Sequence, residues 1–162
     1  MGNDKLKMKL NFWVFLGLFF LLGLFPARAG DIMINGGWQK VIGNADTAGA
    51  GMDIPSTYVS NPGAGVLSIN NVTGNWSIYV RRVDYNWPSG VGLALRRNSN
   101  GNGGGPIVGG EGYVEITPGD GLFFQGAGNV TDINLQYRIS GVSRLVPPGS
   151  YGADIIFTIN EN

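Results

Sequence analysis

Apolar side chains recur at every second position through most of this chain, a period that fits strands and not amphipathic helices. The clearest case runs over residues 133–139. Ile133, Leu135, Tyr137 and Ile139 fall on one side, and Asn134, Gln136 and Arg138 on the other. Such a segment is a half-buried antiparallel strand with one wet face. Tyr151, Ala153, Ile155, Phe157 and Ile159 repeat the pattern after Val146-Pro147-Pro148-Gly149, a tight turn because proline fixes the backbone and cannot extend a ladder. Trp76, Ile78 and Val80 alternate, the phase slips at Arg81-Arg82, and Val83, Tyr85 and Trp87 resume on the next parity. A slip of one residue is what a β-bulge produces; two short strands with a bend give the same pattern.

Shorter strands are predicted over residues 32–34, 66–69, 91–95, 113–117 and 122–125, with 39–42 as a further candidate. Pro118-Gly119-Asp120-Gly121 marks a strong turn. Segment 44–65 is rich in Gly, Ala, Asp, Ser and Pro and reads as a long loop, and the Asn- and Gly-rich segment 98–110 reads as the most flexible stretch. Of 28 glycines, 25 follow residue 29, and no helical stripe is visible. The expected class is all-β: an antiparallel β-sandwich of seven to nine strands, immunoglobulin-like in the broad sense, with a small β-barrel as second choice.

The start of the chain has a different character. Lys5, Lys7 and Lys9 precede an apolar run over residues 10–25, then Pro26 and Ala27-Arg28-Ala29. A positive region, an apolar core and a small-x-small site make a secretory signal peptide. The run is about 16 residues, short of the roughly 20 that span a bilayer, although an uncleaved anchor is the alternative. Cleavage after Ala29 is expected to leave one domain, residues 30–162, that is secreted, periplasmic or at the cell surface. The 11 basic and 11 acidic residues of the whole chain balance; the leader holds four of the former and one of the latter, which leaves the domain at −3.

The chain has no Cys and no His. That excludes disulfides, thiolate nucleophiles, zinc-thiolate sites and Ser-His-Asp catalysis. The charge gives no basic footprint for nucleic acid. No spacing nominates a pair of carboxylates for glycoside hydrolysis, and no G-x-S-x-G elbow is present. Gly101 to Gly105 lacks the Lys-Ser/Thr and the helix that a phosphate loop requires. No EF-hand loop occurs; Asp46 with Asp53, or Asp120 with Asp132, are the pairs that would meet if calcium were held. The expectation is therefore no catalytic residue, no metal site and no cofactor. Asn71, Asn75 and Asn129 stand in N-x-S/T triplets.

Aromatic and basic residues are the remaining candidates. Tyr79 opposes the Trp76-Ile78-Val80 face, and with Tyr85 and Trp87 it would form a stacking platform for a glycan; the competing expectation is that Trp and Tyr fill the core and its ends. Arg81-Arg82 and Arg96-Arg97 fall on strands expected to be neighbours. They read either as an anion or acidic-glycan patch or as a solvated face paired with Asp84, Glu111 or Glu115.

An exposed strand edge recruits other strands, and Ile32-Met33-Ile34 is the best candidate for an assembly strand, with Ile32 and Ile34 as its contacts. The stretch from Ile133 to Ile159, with Leu135-Gln136-Tyr137-Arg138-Ile139 and then Pro148-Gly149-Ser150-Tyr151 opening an alternating last strand, resembles the end of bacterial exported fimbrial and spore-coat-U-like domains. The chain lacks the cysteine pair and the penultimate tyrosine that such domains often carry. The resemblance implies a non-enzymatic cell-surface or fimbria-like structural protein, whose partners are copies of itself, other surface subunits or a glycan.

Overall fold

A computed structural model of the chain describes residues 30–43, 46–47 and 52–162. The expected leader and part of the 44–65 segment lie outside the described residues. Among these residues nine strands form: β1 (Asp31–Gly36), β2 (Thr57–Val59), β3 (Gly65–Asn70), β4 (Asn75–Tyr85), β5 (Gly92–Arg97), β6 (Val114–Glu115), β7 (Gly121–Ala127), β8 (Val130–Ser140) and β9 (Gly152–Glu161). They make two antiparallel sheets that do not close into a barrel. The larger runs β1-β3-β8-β5-β6, with β2 also paired to β8, and the smaller runs β7-β4-β9. The fold is thus a β-sandwich.

β8 is the centre of the larger sheet, and its alternation turns Ile133, Leu135 and Tyr137 to the core. Residues 135–140 pair with β5 along one side, while β3 and β2 share the other side end to end. Leu67, Ile69, Leu95, Ile133 and Leu135 turn inward and are fully buried against Trp76, Ile78, Val80 and Phe124 of the smaller sheet. Each side chain so buried is worth about 1.5–3 kcal/mol. Trp76 packs edge-on to Phe124, ring centroids 5.8 Å apart, and its indole N–H donates to the carbonyl of Gly128 at 2.8 Å.

The sequence pattern misplaced one irregularity. β4 is a single strand whose pairing with β9 runs unbroken from Trp76↔Glu161 to Tyr85↔Gly152. There is no bulge at Arg81-Arg82. The bulge lies on β7, where Ile78 faces Phe124 but Tyr79 faces Leu122. The extra residue, Phe123, turns inward beside Phe124 at 4.8 Å between centroids. Arg82 and Asp84 therefore point to the inner side of β4, past the end of the apolar core. There Arg82 lies 2.8 Å from Asp84 and 5.3 Å from the Trp87 ring. Val83 and Tyr85 point outward into water.

Two loop expectations are also corrected. Thr57–Val59 lies within the stretch read as a loop, yet pairs with β8. Segment 98–110 is anchored: Asn102 bridges Thr131, Val108 bridges Gln125, and Ile107 is buried in the core. The candidate strand at 39–42 does not form.

Candidate functional site

Arg97 explains why the Gly-rich segment is ordered. It stands opposite Leu135, on the inward side of β5, and is only 3 % exposed. Its Nε donates to the Gly109 carbonyl at 2.5 Å, and Nη2 donates to the Ile107 carbonyl at 3.3 Å and to Glu111 at 2.6 Å. Nη1 donates to Asn100 and, at 3.4 Å, to the Ser99 carbonyl. One planar cation thus satisfies carbonyls along the whole loop. Gly101, at φ +69°, is required as well, since a Cβ there would stand 2.2 Å from the Thr131 carbonyl.

Arg96 points the other way, because successive side chains in a strand alternate. The two basic pairs named from the sequence do not meet: Arg81 and Arg82 belong to the smaller sheet, Arg96 and Arg97 to the larger. Arg96 instead shares the outer face with Arg138 of β8. Both guanidinium groups lie over the ring of Tyr113, at 4.9 and 4.3 Å from its centroid. Arg96 Nε donates to Gln136 Oε1 at 2.8 Å, and Gln136 is fixed in turn by donating to the Ser60 carbonyl at 2.7 Å. Arg138 Nε is buried with no acceptor. Neither arginine has a carboxylate within ion-pair reach among the described residues. Arg96 and Arg138 stand 42 positions apart in the sequence, so only the β5–β8 register brings them together.

Tyr79 and Tyr85 lie on the outer face of the smaller sheet, with Leu122 and Ile156 also exposed there. Tyr85 donates its phenol proton to Asp154 at 2.6 Å, which pushes its pKa up. Trp87 does not join them. It packs against the core, and its indole N–H donates to the Val91 carbonyl at 2.7 Å.

Ile32 and Ile34 lie on β1, an edge strand of the larger sheet, and β9 is an edge strand of the smaller. The two edges meet where the Gly30 N–H donates to Glu161 at 2.5 Å. Along this side Ile32 and Ile34 of β1, and Ile155, Phe157 and Ile159 of β9, pack against the core while remaining partly exposed. Their neighbours one strand inward, Leu67, Ile69, Ile78 and Val80, are fully buried. The sandwich is therefore less well closed at this seam than at its centre.

Most acidic side chains have structural partners. Asp46 accepts from Lys40 at 2.6 Å, which together with the Gly43 N–H lowers its pKa. Asp53 accepts from the Ile54 and Arg144 amides, Asp120 lies 3.6 Å from Arg81, and Asp132 accepts from Asn102 and Thr131. Asp120 lies in the turn that leads into β7 of the smaller sheet, whereas Asp132 lies on β8 of the larger. No cluster of three or more metal-ligating side chains exists among the described residues. A cleft of 470 Å³ between the β4–β5 turn and the β8–β9 loop is lined by Pro88, Leu145, Pro147, Tyr151 and their neighbours, and holds no ionisable group other than that tyrosine. Comparison of the chain with protein-family models, with curated proteins and with solved structures finds no match.

Proposed function

We propose that this chain is an exported, non-enzymatic β-sandwich of bacterial type that serves as a cell-surface or fimbria-like structural component and assembles through its sheet edges. The observation that carries the proposal is the seam between β1 and β9. Two strand edges lie side by side there, and the apolar side chains behind them are only half covered. β9 has ten residues and carries neither proline nor lysine nor a bulge in its pairing with β4; its charges are Asp154 and Glu161. At the seam β1 has six residues on β3 and β9 has ten on β4, so β1 is the one of the two that exchanges at less cost, with Ile32 and Ile34 entering the seam of the next copy.

Immunogold electron microscopy of producing cells tests this function. The expected result is label on surface polymers that disappears when residues 30–36 are deleted, with Gly30 as the first residue of the exported protein. Label confined to the cytoplasm, or a chain released only as monomer, contradicts the proposal.

A further inference from the structure

The outer face of the larger sheet holds two guanidinium groups, Arg96 and Arg138, with no ion-pair partner among the described residues. We propose that Arg96, Arg138 and Tyr113 form a binding site for the carboxylate or sulfate groups of an acidic glycan. This site lies on the opposite sheet from Tyr79 and Tyr85 and does not depend on the assembly proposal.

Two like charges on one ring repel each other. The ring's negative face offsets part of that repulsion, and an oxyanion shared between the two forks would offset the rest. Gln136 holds Arg96 in place before any ligand arrives, since its amide is itself anchored to Ser60. The buried Arg138 Nε finds no acceptor among the described residues. Glu115 of β6 stands opposite Ala94 on one side as Arg138 does on the other, but its carboxylate lies over Gly92 and pairs with neither arginine.

The surroundings favour sugar over peptide. Besides the two arginines, β5 and β8 turn Gly92, Ala94, Asn134, Gln136 and Ser140 to this side of the sheet; Ala94 and Gln136 are buried, and Gly92, Asn134 and Ser140 are half-exposed. With Val59 of β2, exposed opposite Arg138, the surface mixes amide and hydroxyl groups with one small apolar side chain, which suits both the hydroxyls and the apolar ring face of a saccharide.

Calorimetric titration of the protein recovered from an exporting host tests the site. The probes are oligogalacturonate, dextran sulfate, neutral maltohexaose and polyglutamate. The expected result is binding of oligogalacturonate, dextran sulfate or both, weakening as salt rises, with no binding of maltohexaose. Oligogalacturonate alone identifies the carboxylate as the group read, and dextran sulfate alone the sulfate. Arg96→Gln and Arg138→Gln should each weaken binding by about tenfold or more. Arg81→Gln, on the other sheet, should leave it unchanged. If Arg138→Gln fails to fold, Arg96→Gln and Arg81→Gln decide between them. The site is overturned if neither acidic glycan binds, if maltohexaose binds as well as they do, if Arg96→Gln binds as tightly as wild type, or if polyglutamate matches the glycans.

Discussion

Arg97 shows how a single residue decides the state of a whole loop. Its guanidinium is buried and every nitrogen has an acceptor, so its removal orphans several carbonyls at once. Arg97→Met should cost about 3 kcal/mol and make segment 98–110 sensitive to protease, as read by urea unfolding and limited proteolysis. Glu111→Gln should cost less than about 1 kcal/mol, because Glu111 is 76 % exposed and its ion pair is screened. The sequence did suggest Arg97 with Glu111, but as a solvated pair. The dipeptide Arg96-Arg97 does not reveal which arginine enters the core, since that depends on the parity set by Leu93 and Leu95. Gly65 is a second such case. A Cβ there would lie 2.4 Å from the Tyr137 hydroxyl oxygen. Gly65→Ala should destabilise by about 2 kcal/mol, and by less in a Tyr137→Phe background where that oxygen is gone. A double-mutant cycle of thermal unfolding measures the difference.

At the scale of elements, strands with strong alternation were legible, and β8 and β9 are found where their period placed them. The alternation of β4 misled because it counts apolar residues and takes them as inward. Past Val80 the core has ended, and the apolar Val83 and Tyr85 face water while the charged Arg82 and Asp84 face inward. Val83→Lys should therefore change stability by no more than about 0.5 kcal/mol, whereas Ile78→Ala, at full burial, should cost about 3 kcal/mol. Guanidinium unfolding of the two variants checks both. A large loss from Val83→Lys would restore the bulge at Arg81-Arg82. β2 escaped detection because three residues carry too little pattern; its pairing with β8 comes from the neighbour, not from Thr57–Val59 itself.

For the whole molecule, composition and period were enough for the class: an all-β sandwich without disulfides. They were not enough for strand order, which depends on pairings between residues far apart, such as Leu67 with Ile133 and Val80 with Phe157. The same gap hid the Arg96–Arg138 pair and joined Trp87 to Tyr79 and Tyr85. It also hid which edges stay free. Ile32 and Ile34 were picked out by their alternation, but the place of β1 beside β9 is a property of the assembled sandwich. Sedimentation velocity of the exported protein across a wide concentration range tests assembly through that seam most directly. Intact protein should sediment as oligomers that grow with concentration, and protein lacking residues 30–36 should not. A single monomer peak at every concentration, unchanged by that deletion, would contradict the account.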